Sequence, residues 1–223
     1  MAPSVAALLG HCGTGGCGDV PLVWCGSLHA RGRGVMEIAA TKRLRLRLLQ
    51  ADDLRAFVAY RSDPDVARYQ SWEPTYAITD AEALLATQAD VAFGTPGAWV
   101  QVAALDRASG ELVGDCAVHV LADQPATAEV GVTLAPNRQG SGLATEALGA
   151  IVSTLFEDHH MHRVFGQVDD RNTAVQNLFG RLGFRCEARQ VEADWFKGKW
   201  TTTRVYAILQ REWRAARRRD QRR

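Results

Sequence analysis

The sequence predicts a mixed α/β fold, and three observations carry that expectation. Residues 43–49 alternate Arg with Leu, which places Leu44, Leu46 and Leu48 on one face of a half-buried strand. Three further β-type runs follow at 99–105, 111–120 and 127–134. Helical signals are interspersed with them: Asp52-Asp53 ahead of Leu54, Phe57 and Val58, the capping-box pair Thr79 and Glu82, and a long helix bearing Leu148, Ile151, Val152 and Leu155.

Each element has a local reason. The arginines of the first strand are expected to face water, opposite its leucines. The helix opened by Asp52 should end near Ser62-Asp63-Pro64, because proline disfavours the helical conformation in the residue before it. Residues 69–74 form a loop rich in aromatics, and the next helix begins at Thr79 with Gly94 as its stop. Asp106-Arg107-Ala108-Ser109-Gly110 reads as a hairpin turn between two strands, and residues 127–134 should pair beside them.

With 223 residues, 47% of them hydrophobic and 23% charged, the chain is long enough to bury a full core, and one domain is expected. No apolar run approaches the roughly 18–20 residues that would span a bilayer. Five cysteines in a chain of this size do not make a disulfide framework, so a reducing cytoplasm is the simpler setting. The 26 basic and 25 acidic residues are unevenly spread. Residues 211–223 hold seven Arg against Glu212 and Asp220, leaving 19 basic and 23 acidic elsewhere, a balance of −4. A general nucleic-acid binder should be basic across a folded face, so this tail argues for a local role.

Residues 1–34 contain eight of the 20 glycines and only three charges, Asp19, Arg31 and Arg33, without helical or strand periodicity. Met36 opens ordered-looking sequence. Residues 1–35 are therefore expected to be a disordered extension or upstream sequence from a misassigned start, with the domain at 36–213 and a basic tail at 214–223. His11, Cys12, Cys17, Cys25 and His29 lack the paired spacing of a structural zinc site, and no metal is expected.

The chemistry concentrates where residues 127–134 run into a glycine-containing loop that opens the long helix. Such a junction aims backbone N–H groups and the positive end of a helix dipole at one point, which suits a phosphate or pyrophosphate. A P-loop is excluded, since no Lys lies between Lys42 and Lys197. A dinucleotide fingerprint fits poorly: Thr145 stands where its third glycine belongs, and Asp169 comes too late for the ribose-binding acid.

Gln139-Gly140-Ser141-Gly142-Leu143-Ala144 resembles the Q/R-x-x-G-x-G/A motif of the GNAT superfamily of acyl-CoA-dependent N-acyltransferases. Downstream, a strand at 163–168 precedes Asn172 and the segment through Phe179 to Gly183-Phe184, which is similar to that family in order and spacing. Ser62-Asp63-Pro64-Asp65, together with Gly198-Lys199-Trp200 before a last strand at 204–209, resembles its Rim-type branch. About three quarters of the chain is covered.

The resemblance implies a mostly antiparallel sheet splayed between its fourth and fifth strands, here 127–134 and 163–168, with acetyl-CoA in the gap as co-substrate. Its pyrophosphate would lie on the loop formed by Gln139, Gly140, Ser141, Gly142, Leu143, Ala144 and Thr145, and its pantetheine arm along Val132, Thr133 and Leu134. Asn172 would be an N-cap, a pantetheine or proton-path contact, or both. Some relatives place a Glu base where this chain has Gln167 and a Tyr acid where it has Phe179. Neither replacement can do that proton chemistry, which leaves Glu129 as the candidate base. An exposed or cross-strand-paired carboxylate is the alternative reading of Glu129. Asp115 and His119 share a strand face, and His119 is a second candidate base.

By the same resemblance, residues 68–78 and a loop at 191–200 flank the cleft. They supply Tyr69, Trp72, Tyr76, Trp195 and Trp200 with Glu73, Glu192 and Asp194, an inventory suited to a cationic amine. Trp72 and Glu73 are the substrate contacts expected. The acceptor would be a protein N-terminus or a small amine such as an aminoglycoside, and the assembly a homodimer. Two other classes stay open: a non-catalytic acyl-CoA sensor, and a nucleic-acid-associated protein acting through the Arg-rich tail.

Overall fold

A computed structural model describes residues 37–220; the expectation for residues 1–35 lies outside them. The chain begins with a hairpin of β1 (Glu37–Ala40) and β2 (Leu44–Leu48), then crosses through α1 (Leu54–Arg61), α2 (Pro64–Ala67) and α3 (Ile78–Ala86). A meander of β3 (Trp99–Asp106), β4 (Leu112–Val120) and β5 (Thr127–Leu134) leads into α4 (Leu143–Glu157). β6 (Arg163–Asp169), α5 (Thr173–Arg181), the long hairpin β7 (Arg185–Phe196) and β8 (Lys199–Leu209), and α6 (Gln210–Asp220) complete it. The strands form one sheet in the order β1-β2-β3-β4-β5-β6-β8-β7. Every pairing is antiparallel except β5 with β6. The expected fourth and fifth strands are thus β5 and β6, because β1 precedes the first strand read from sequence.

Strand alternation gives the sheet two apolar faces. Val100, Val102 and Ala104 of β3 join Leu44, Leu46, Val118 and Val130 beneath Leu148, Ile151, Val152 and Leu155 of α4. Ala103 faces the other way, into a cluster with Leu54, Phe57 and Tyr60 of α1 and Ala81 of α3. The four α4 side chains are fully buried, each worth about 1.5–3 kcal/mol relative to exposure. This burial fixes α4 and, with it, the loop at its N-terminus.

Several local expectations are corrected. Arg47 is buried rather than water-facing: its Nη1 and Nη2 donate to the two carboxylate oxygens of Asp53 at 2.6 and 2.8 Å. That fork-to-carboxylate match satisfies both buried charges. α3 starts at Ile78, not at Thr79, because Asp80 Oδ2 accepts the Ala77 N–H at 2.7 Å and moves the cap upstream. It ends at Ala86, well before Gly94, where Thr87 Oγ1 bonds back to Leu84 O. The boundary drawn at residue 213 falls inside α6. Trp213 is buried against Phe156, and Arg217 reaches Glu157, so the start of the Arg-rich segment is docked on α4. Among the described residues, no helix is long and apolar enough to cross a membrane.

Candidate active site

β5 and β6 pair for three residues only: Thr127 with Arg163, Ala128 with Val164, and Glu129 with Phe165. Beyond that last rung the strands diverge, although β5 continues to Leu134 and β6 to Asp169. β5 stays paired with β4 through Leu134 on its other side. Its edge toward β6 therefore offers backbone N–H and C=O groups to an extended ligand. Phe179 packs against the fork. A Cβ on Gly166 would lie 2.4 Å from Phe179 Cζ and 2.8 Å from Val130 O, so only glycine lets the ring enter. Phe179 also stacks on Tyr206 at 5.6 Å and is 2% exposed.

From the end of β5 the chain enters the glycine loop. Gly140 and Gly142 adopt φ of +73° and +81°, a region other residues enter only with strain. The amides of Leu143, Ala144 and Thr145 precede the first helical bond of α4, from Glu146 N to Gly142 O at 3.1 Å, and remain available to a ligand. Gln139 Nε2 donates to Leu134 O at 3.1 Å, and Ser141 Oγ to Arg138 O at 2.9 Å. These two side-chain bonds shape the loop.

Arg43 belongs to this corner and was not singled out from sequence, where it reads as one of several water-facing arginines. Its Nε donates to Glu146 Oε2 at 2.6 Å and its Nη1 to Ser141 O at 2.9 Å. Nη2 lies 3.6 Å from where a Gly142 Cβ would stand. Glu146 is partly desolvated, yet bonds from Thr41 and Arg43 hold its carboxyl below the usual range. Arg43 thus offsets the one negative charge in the first turn of α4.

A cavity of about 520 Å³ opens from the fork toward α1 and α3. Val132, Thr133, Gln167, Asn172 and Phe179 are among its lining residues. Asn172 caps α5, its Oδ1 accepting Val175 N–H at 3.3 Å. Glu129 also lines the cavity and is 5% exposed. Burial pushes its carboxyl up to about 7, against the opposing effect of Gln167, whose Nε2 donates to Oε1 at 3.4 Å. His119 is the cross-strand neighbour of Glu129 and stacks on Trp99 at 4.8 Å. Burial lowers its pKa.

Asp115, the cross-strand partner of Thr133, also lines the cavity and is 2% exposed, with Tyr60 OH donating to Oδ1 and Arg61 Nη2 to Oδ2 at 3.2 Å. Burial raises the Asp115 carboxyl, while Arg61 and the Tyr60 hydroxyl oppose the rise. The Arg61 guanidinium sits 3.9 Å from the Phe57 ring centroid and 3.7 Å from that of Trp72, and Trp72 Nε1 donates to Arg61 O at 3.0 Å. Trp72 lines the cavity but commits one ring face to Arg61. Glu73, 62% exposed, lies outside the lining and pairs with Lys197 at 3.5 Å. Residues 191–200 form the β7–β8 hairpin instead of a loop, with the turn at Lys197 (φ 48°) and Gly198 (φ 77°). Asp194 and Phe196 face the cavity. Trp195 and Trp200, 60% and 58% exposed, meet edge to face outside it. Among the described residues, no three His, Cys, Asp or Glu side chains group to hold a metal.

Residues 43–185 match the model of the acetyltransferase (GNAT) domain. N-acetyltransferase p20 of Bacillus licheniformis, itself uncharacterized, is 25% identical over 178 residues, covering 80% of this chain and 99% of p20. YdaF of Bacillus subtilis, whose name assigns it provisionally to ribosomal N-acetylation, is 27% identical over 104 residues, covering 47% of this chain and 57% of YdaF. In fold, the chain is similar to spermidine N-acetyltransferase from Vibrio cholerae, solved in complex with CoA and spermine. The TM-score is 0.68 at 22% identity, over 78% of this chain and 99% of the other. The splayed sheet, the glycine loop at the start of α4 and the family match converge on one assignment: the chain belongs to the GNAT family and is an acetyltransferase, with acetyl-CoA as its acyl donor.

Proposed function

We propose that the protein is an N-acetyltransferase of the Rim-type branch that acetylates a primary amine in the cavity beside the β5–β6 fork. The observation that carries this reading is the place of Glu129: a buried carboxylate at the last shared rung, where the gap between the strands opens into the cavity. The gap fits acetyl-CoA on chemical grounds. The edge of β5 at Val132, Thr133 and Leu134 would pair with the amide-bearing pantetheine arm. The amides between Gln139 and Thr145, with Arg43 beside them, would hold the pyrophosphate. Bound there, acetyl-CoA supplies an activated acetyl carbon.

The remaining tasks fall to this chain's side chains. An ammonium ion is not nucleophilic, so its proton must first leave. The Glu129 carboxylate is the acceptor, and a pKa of about 7 makes it as effective a base as neutral pH permits. Glu129 and Asp194 also favour a cationic acceptor, since the Asp115 charge is already matched by Arg61. Trp72 and Tyr76 also line the cavity. Phe179 offers no proton at the position of the relatives' Tyr acid, so the thiolate leaves unprotonated, as a thiol pKa near 8.5 allows. Support for the Rim-type branch is the sequence pattern from Ser62 to Asp65, the Gly198-Lys199-Trp200 turn and the likeness to YdaF.

Two variants test the assignment. Gly142→Glu should abolish acetyl-CoA binding by calorimetry, because it sets a negative side chain at a strained position beside the loop amides; unchanged affinity would remove the cofactor site from this loop. Glu129→Gln should lower kcat/KM on the order of 10²-fold with acetyl-CoA affinity unchanged. Wild-type kcat/KM should rise with pH through about 7 as Glu129 ionises. In the variant that limb should vanish, with partial recovery at high pH where the amine deprotonates unaided. A wild-type profile from pH 6 to 9 in the variant would make Glu129 structural.

A further inference from the structure

Two walls of the cavity come from distant parts of the chain: residues 69–76, and the β7–β8 hairpin with Asp194, Phe196, Thr201 and Thr203. The first wall has no helix or strand between α2 and α3; backbone turns at Gln70 and Tyr76 shape it, and side-chain bonds tie it to the rest of the fold. Trp72 Nε1 to Arg61 O, and Ser62 Oγ to Tyr76 O at 3.0 Å, tie it to the end of α1 and the residue after it. Arg171 approaches the Tyr69 ring at 5.7 Å.

The tie to the hairpin is Lys197. Its Nζ donates to Ala67 O at 2.8 Å and to Trp72 O at 2.7 Å, with Glu73 at 3.5 Å. A compact ammonium with three donors suits two converging carbonyls, and charge-assisted bonds are the stronger kind. The Lys197 side chain is 21% exposed, whereas that of Glu73 is 62% exposed; the carbonyl bonds are the better shielded part of the contact. Lys197 itself lies outside the cavity lining. Its influence on the cavity runs through Trp72, which packs on Arg61, which in turn pairs with Asp115.

We propose that Lys197 is a latch, a positioning residue that joins the hairpin to residues 67–72 and thereby sets how closely the cavity fits its amine acceptor. The part concerning the acceptor rests on the reading of this cavity as the acceptor site. Lys197→Met removes all three donors and keeps the aliphatic stem. Lys197→Arg keeps the charge but presents a planar fork that cannot converge on both carbonyls in the same way.

The test combines steady-state kinetics of acetyl transfer to a peptide N-terminus, an aminoglycoside and a polyamine with amide hydrogen exchange of residues 68–76. For Lys197→Met, the acceptor KM should rise about tenfold while kcat changes less than about threefold and the acetyl-CoA KM is unchanged. Exchange in 68–76 should quicken, and Lys197→Arg should restore part of both effects. Unchanged exchange in 68–76 overturns the latch. A parallel fall in kcat and rise in both KM values, with a lowered Tm, assigns Lys197 a general structural role and also overturns it. Faster exchange in a protein whose wild type acetylates no amine overturns the acceptor reading and its link to specificity, while the latch itself stands.

Discussion

Glu129 joins an unfavourable position in the fold to a useful one in the chemistry. Its carboxyl has a folded-state pKa of about 7, above the ordinary carboxylate value, because burial disfavours the charge. A raised carboxyl pKa means that stability is greatest below the unfolded-state value and falls as pH rises through the folded one. Glu129→Gln should therefore melt close to wild type at pH 5 and roughly 5 °C or more higher at pH 8, on the scale of a shift of two to three pKa units. Equal Tm differences at the two pH values would show that the buried carboxylate carries no such penalty. Arg43 is the residue-scale counterpart on the cofactor side. Arg43→Ala should weaken acetyl-CoA binding several-fold in a calorimetric titration, since it removes a cation beside the loop and leaves Glu146 unmatched; unchanged affinity would confine Arg43 to holding β2 against α4. Glycines 140 and 142 were legible in the sequence because they answer a local backbone demand. Arg43 and Arg47 were not, since period-two alternation assigns faces without revealing that Glu146 or Asp53 waits on one of them.

The β5–β6 fork depends on a match between a glycine and a ring. Gly166→Ala would put a methyl group against Phe179 Cζ and Val130 O, and overpacking of this kind costs about 1–3 kcal/mol. Gly166→Ala combined with Phe179→Leu should recover part of that loss in urea melts; a double variant no more stable than Gly166→Ala would place the strain in the Val130 backbone instead. At this scale the sequence was readable wherever periodicity was clean. β3, β4 and β5 fall within a residue or two of their expected ranges. β7 was missed because register shifts at Cys186/Ala188 and Gln190/Asp194 break its alternation, and because an edge strand with mostly exposed side chains shows no apolar face. The shifted start of α3 has the same kind of cause: Asp80 and Glu82 both offer a carboxylate to a helix terminus, and only packing decides which is used.

For the whole molecule, the sheet order could not be read from spacing, since the crossover that puts β6 between β5 and β8 depends on contacts distant in sequence. The motif resemblance implied a mostly antiparallel sheet and its splay between the strands that are β5 and β6, but not the order of the others. Residues 1–34 carry only three charges and show neither helical nor strand periodicity. Removal of residues 1–35 should accordingly leave Tm and acetyl-CoA affinity unaltered, and a loss of several degrees would show that the segment packs on the domain. The central claim is amine acetylation at the fork. Its most direct test follows CoA thiol release from acetyl-CoA between pH 6 and 9 against peptide N-termini, aminoglycosides and polyamines. At least one class should give release that depends on the amine and matches N-acetylated product mole for mole. Acetyl-CoA binding with no amine-dependent release from any of the three would contradict the account and leave a binding module in its place.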